Sequence, residues 1–262
     1  MHIPPFRLID RIKTGTLLDG LEYFSGIGLQ IISKKITMSR DKDFKKTARS
    51  ISDEYVLLYE KNNKQTYDNT YWLGYKALKI PLDLWIYQEI IYETKPDIII
   101  ETGTNEGGSA LFLASICDLI DHGKVITIDI GVPKKLPSHK RIKFLQGDAM
   151  SNEIITKIKK IIQENSNQKV MIILDDDHSK KHVLKELNQY HQFISDGCYL
   201  IVEDTCMAGH PTVPELKEGP MEAVEEFLKV NKDFMIDKKR EKFFATFNPK
   251  GYLKKIQQKG QY

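Results

Sequence analysis

The amino-acid sequence predicts an α/β fold: a mostly parallel sheet wound with helices on both faces and finished by an antiparallel hairpin. Three observations carry this expectation. From about residue 80 onward, short β-branched runs alternate with longer helical patterns. The strand Asp97 to Ile100 runs into Glu101-Thr102-Gly103-Thr104-Asn105-Glu106-Gly107-Gly108-Ser109, a glycine-rich turn that opens a helix. Two final strands, Phe234-Met235-Ile236 and Phe243 to Phe247, are separated by Lys238-Lys239-Arg240-Glu241-Lys242. That link is too short for a parallel crossover, which needs about a dozen residues, so these strands must be antiparallel.

The elements follow in order. Residues 1–69 are polar and rich in lysine, with Asp41-Lys42-Asp43-Phe44-Lys45-Lys46 and Glu60-Lys61-Asn62-Asn63-Lys64-Gln65. They read as helices and loops of an N-terminal extension, a lid over the cofactor edge or an oligomer contact, ahead of a domain at 70–262. The strands of that domain are Asp97 to Ile100, Lys124 to Ile128, Ile142 to Leu145, Val170 to Leu174 and Cys198 to Val202, followed by the two hairpin strands. Helices are expected around 82–94, 108–121, 152–164, 179–194 and 220–231, and no internal repeat is visible. A seven-stranded sheet ending in a hairpin is the Rossmann-like arrangement of class I methyltransferases, whereas dinucleotide dehydrogenases continue with parallel strands.

Composition narrows the class. With 262 residues, 41% of them hydrophobic, the chain buries a sizeable core and fits one large domain plus its extension. The 39 basic and 36 acidic residues leave a net charge of +3, and the pairs Lys134-Lys135, Lys159-Lys160 and Lys180-Lys181 are scattered, so no nucleic-acid partner is expected. Cys117, Cys198 and Cys206 are odd in number and lack CxxC spacing, which suits a reducing compartment. Charges at Arg7, Asp10, Arg11 and Lys13 break any leader-like segment, and no apolar run reaches the roughly 18 residues of a spanning helix. The expectation is a cytoplasmic protein with no membrane partner.

The glycine turn and the acids that follow it together point to the cofactor class. A dinucleotide fingerprint would need glycine at position 105, which is Asn105. The pattern of Glu101, Gly103, Thr104, Asn105, Gly107 and Ser109 looks like the first motif of an S-adenosylmethionine site, with the strand-end acid at the methionine portion. Asp129 ends the second strand, where a carboxylate can accept hydrogen bonds from both ribose hydroxyls. Asp148, in Gln146-Gly147-Asp148-Ala149, ends the third strand on the adenine side. Each of these acids could alternatively cap a helix.

A second constellation lies at strands four and five. Leu174-Asp175-Asp176-Asp177-His178 and Val202-Glu203-Asp204-Thr205 place carboxylates at neighbouring carboxyl ends of a parallel sheet, where open α/β folds bind ligands. Crowded carboxylates resist ionisation, so the cluster implies a hard cation such as Mg²⁺, while Asp176 and Asp177 could instead cap the helix that starts near Ser179. His178, three residues after Asp175 and with an ordinary pKa near ~6.5, is the natural general base. His182, four residues later on the same helix face, could support the cluster from behind but reads more simply as a surface or packing residue, and His191 and His210 have no supporting pattern.

Together these segments resemble the cephalosporin hydroxylase and rhamnosyl O-methyltransferase family. The resemblance is carried by Trp72-Leu73-Gly74, Pro81-Leu82-Asp83-Leu84-Trp85 with Gln88-Glu89, Lys95-Pro96-Asp97, Glu101-Thr102-Gly103, Gly107-Gly108-Ser109, Asp175 to His178, Ile201-Val202-Glu203-Asp204 and Asn248-Pro249-Lys250-Gly251-Tyr252-Leu253. It covers about residues 70–255. It implies an S-adenosylmethionine-dependent O-methyltransferase, similar to macrolide-sugar enzymes, with a divalent metal on Asp175, Glu203 and Asp204 and a base at His178. Asp175 is expected to serve both metal and cofactor. The implied acceptor is a hydroxylated small molecule, a sugar or glycoside of natural-product or glycan biosynthesis, and the implied assembly is a homo-oligomer. The alternatives are a noncatalytic cofactor-binding subunit of a biosynthetic complex and an NAD-linked oxidoreductase.

Overall fold

The computed structural model describes residues 42–131, 135–164 and 167–256. The chain divides into a unit of residues 1–49 and a unit of residues 50–262. Of the expected extension, residues 1–41 lie outside the described residues. From there the chain runs through α1 (Lys42–Lys61), a small hairpin of β1 (Tyr71–Trp72) and β2 (Tyr75–Lys76), and α2 (Pro81–Thr94). Five strands and four helices follow among the described residues: β3 (Ile98–Thr102) with α3 (Gly108–Leu119), β4 (Lys124–Asp129) with no helix of its own, β5 (Ile142–Gln146) with α4 (Asn152–Gln163), β6 (Val170–Leu174) with α5 (Lys180–Tyr190), and β7 (Tyr199–Val202) with α6 (Pro220–Val230). The last strands are β8 (Phe234–Ile236) and β9 (Tyr252–Lys255).

The seven-stranded sheet has the order β5-β4-β3-β6-β7-β9-β8. Its first five strands are parallel, and β9 runs antiparallel to both β7 and β8. Side chains of a strand alternate between faces. Ile98 and Ile100 therefore join Val170, Ile172, Leu174, Leu200 and Val202 beneath α4, α5 and α6. Ile99 joins Met171, Ile173, Tyr199 and Ile201 beneath α2 and α3. Because both faces are covered, the central strands read as unbroken apolar runs. No helix among the described residues is long and apolar enough to cross a membrane.

One expected strand is misplaced. Residues Phe243 to Phe247 are irregular, and the strand that completes the hairpin is β9. The expected segment turns inward instead: Thr246 Oγ1 and the Phe247 N–H donate to the buried Asp83 carboxylate at 2.6 and 2.9 Å, and the Cys206 N–H donates to the Phe247 carbonyl. Its backbone partners are thus a side chain and a loop, and Phe244 has φ +67°, which a strand excludes. The Lys238–Glu241 link is a 3₁₀ turn tied down by Arg240, which donates to Glu93 and to Tyr199.

Candidate functional site

Strand register sets up the site. Thr102 pairs with Ile128 and Leu174, and Leu174 pairs with Val202. The next residue on each strand, Gly103, Asp129, Asp175 and Glu203, therefore reaches the carboxyl edge of the sheet at the same level. A cleft of about 830 Å³ opens there, lined by Gly103, Thr104, Asn105, Ser109, Asp129, Asp148, Asp175, His178 and Asp204 among others. Glu60 and Tyr67 also line it.

On one side stands the glycine turn. Gly103 has φ +84°, and a Cβ built there would sit 1.9 Å from the Asp175 carbonyl oxygen, so no larger residue fits between β3 and β6. Asp129 braces the turn from the neighbouring strand: its Oδ2 accepts from the Thr104 and Asn105 N–H groups, both at 3.0 Å, and its Oδ1 accepts from Gly131 N–H at 2.9 Å. Asp148 lines the cleft and accepts from Met150 N–H at 2.8 Å. The cap of α4 is Ser151 and that of α5 is Ser179, so the capping alternatives for Asp148, Asp176 and Asp177 give way to these serines. Glu101 and Gly107 stand behind the turn, outside the lining. Glu101 is 1% exposed and accepts from Thr127 Oγ1 at 2.7 Å, and burial pushes its carboxyl up to about 7.

On the other side lies the carboxylate cluster, which holds a residue the sequence reading missed. Lys79, on the loop before α2, is 4% exposed. Its ammonium sits 2.6 Å from Asp175 Oδ2 and 3.2 Å from Glu203 Oε2. Burial works against this charge, yet Asp175, Glu203 and Asp204 outweigh it and hold the amine above its ordinary range. Tyr87 of α2 donates its hydroxyl to the other oxygen of Glu203 and accepts from Asn248 Nδ2 at 2.8 Å, while Asn248 Oδ1 accepts the Asp204 N–H at 2.9 Å. Asp204 is held at φ +56°, a conformation rare outside glycine. The only hint of Lys79 in the sequence is a cation set in Ala77-Leu78-Lys79-Ile80.

The structure brings Asp175, His178 and Asp204 together, with one ligand atom of each within 4.8 Å of the others, and His178 Nε2 lies 3.2 Å from Asp204 Oδ2. Glu203 is 1% exposed and sits deeper, with its two oxygens taken by Tyr87 and Lys79. Burial raises the carboxyls of Asp175, Glu203 and Asp204, with mutual repulsion adding to it. Three carboxylates against one ammonium leave two negative charges, so hard oxygen donors and residual charge both fit a divalent ion. Beyond the cluster, Cys206, Met207, Thr212 and Val213 line the remaining wall, two of them from the Ala208–Pro214 loop.

Comparison with known proteins gives a consistent picture. The sequence profile described as Rhamnosyl O-methyltransferase/CmcI matches residues 64–256. The chain is 37% identical over 209 residues to the rhamnosyl O-methyltransferase of Mycobacterium leprae (strain TN), covering 78% of this chain and 90% of that protein. It is 35% identical over 216 residues to the rhamnosyl O-methyltransferase of Mycobacterium tuberculosis (strain ATCC 25618 / H37Rv), covering 80% and 87%. Among solved structures, the apo form of CmcI superposes with a TM-score of 0.55 at 20% identity, covering 72% of this chain and 77% of CmcI. The Mg-SAM form of CmcI superposes with a TM-score of 0.54, with the same identity and coverage. These two likenesses are of fold.

Proposed function

Because the chain belongs to the rhamnosyl O-methyltransferase/CmcI family, we propose that it is an S-adenosylmethionine-dependent, Mg²⁺-assisted O-methyltransferase acting on a sugar hydroxyl. The observation that carries this reading is the meeting, in one cleft, of the glycine turn with the Asp175, His178 and Asp204 cluster.

In this reading the Gly103 turn and Asp129 hold the methyl donor, Asp148 borders its adenine, and Asp175 and Asp204, backed by Glu203, hold the ion. When bound, the donor supplies an electrophilic methyl group and the ion supplies positive charge that acidifies the acceptor hydroxyl. His178 takes the proton of that hydroxyl. Asp204, at 3.2 Å from Nε2, stabilises the imidazolium so formed. Tyr87 and Asn248 fix the backbone and carboxylate positions on which this alignment depends. The wall of Met207, Thr212 and Val213 faces the acceptor and keeps water away.

The test is methyl transfer to rhamnosyl and related glycosides, followed by mass shift, beside titration with S-adenosylhomocysteine. We expect His178→Ala to lose transfer by about 10²–10⁴-fold, the usual share of a general base, while still binding S-adenosylhomocysteine. Asp129→Ala should weaken that binding, and EDTA should silence transfer until Mg²⁺ is restored. Wild-type turnover in His178→Ala on a true acceptor would overturn the base assignment, and undiminished activity in EDTA would remove the ion.

A further inference from the structure

We propose that Asp176, His182 and Glu186 form a second divalent-cation site, separate from the Asp175 cluster and suited to a borderline ion such as Mn²⁺ or Zn²⁺. His182 and Glu186 are four residues apart on α5 and so share one face of it. Asp176 comes to them from the end of β6. His182 Nε2 lies 3.1 Å from Asp176 Oδ1 and 3.8 Å from Glu186 Oε2, and one ligand atom of each residue falls within 4.8 Å of the other two.

The decisive member is Glu186. It is 0% exposed, and neither of its carboxylate oxygens has a hydrogen bond of ordinary length, the Thr102 hydroxyl and the Asp176 carboxyl acting on it only from farther off. A buried carboxyl in that state is costly unless a cation or a proton meets it. An ion held between them would satisfy both acids, with two negative charges matching its own two positive ones. Asp176 and His182 line the cleft, so an ion has a path in and room for further ligands. One imidazole with two carboxylates favours Mn²⁺ or Zn²⁺ over Mg²⁺, whose preference is for oxygen alone.

The proposal does not depend on the methyltransferase reading. Its test is the number and affinity of Mn²⁺ ions bound by the metal-stripped full chain, from titration calorimetry and from metal analysis after gel filtration. Two ions are expected for the wild type. Glu186→Gln and His182→Ala should each lose one ion or bind it at least 10-fold more weakly, and circular dichroism should confirm that both remain folded. In Asp204→Asn the ion of this cluster should persist, which separates it from the other centre whatever that centre does. A Co²⁺-loaded Asp204→Asn protein should show visible absorption bands that His182→Ala removes. Unchanged ion number and affinity in both Glu186→Gln and His182→Ala overturns the proposal.

Discussion

Lys79 acts as an internal counter-ion: a single buried ammonium keeps Asp175 and Glu203 in place when nothing else neutralises them. Removing one partner of a buried ion pair typically costs about 3–5 kcal/mol, because the remaining charge is left without compensation. Lys79→Met should therefore lose stability of that order in urea denaturation with EDTA present, and saturating Mg²⁺ should restore much of it. A variant equally destabilised with and without Mg²⁺ would argue against this electrostatic role. The acids of this cluster were legible as residues because each directly follows a predictable strand. Lys79 was not, since it meets Asp175 across 96 positions and Tyr87 meets Glu203 across 116. No local pattern encodes such a contact, which exists only once α2 has packed on the sheet.

At the scale of elements, the parallel strands were readable to within two residues because burial on both faces forces unbroken apolar runs. The final strand was not. Phe243 to Phe247 has strand-like composition, but Phe243 and Phe244 are exposed while Ala245 and Phe247 pack with Val56 of α1 and with Ile80 just before α2. Tyr252 to Lys255 is half lysine, yet it occupies an interior position of the sheet. The glycine turn is the tightest junction between elements. Gly103→Ala should force β3 away from β6 and cost at least ~1–3 kcal/mol, as overpacking does, with the left-handed φ adding to it. Chemical denaturation measures that loss, and S-adenosylhomocysteine binding should fall with it. Wild-type stability in Gly103→Ala would refute the close approach.

For the unit of residues 50–262 as a whole, stability should depend on pH through its buried acids. Burial holds Asp83 at about 7 and Glu101 at about 7, against an ordinary carboxyl near ~4. Above pH 4 the unfolded chain releases these protons while the folded one keeps them, so the stabilisation they supply is complete below about pH 4 and is lost as pH rises through 7. Urea midpoints measured from pH 4.5 to 8 should therefore carry a downward component that flattens above pH 7. Asp83→Asn and Glu101→Gln should each make that component shallower, and a slope unchanged in both would place the titration elsewhere.

The position of β9 between β7 and β8 has a consequence for synthesis. β7 ends at Val202, whereas the strand that covers its open side begins at Tyr252. On a ribosome moving at ~5–20 residues per second, the growing chain carries a bare, apolar strand edge for roughly 3–10 s before its partner emerges. During that interval the half-made protein offers a template for wrong pairing with its neighbours. Nascent-chain yield should therefore depend more on trigger-factor-like holding and translation speed downstream of Val202 than on anything in the finished fold.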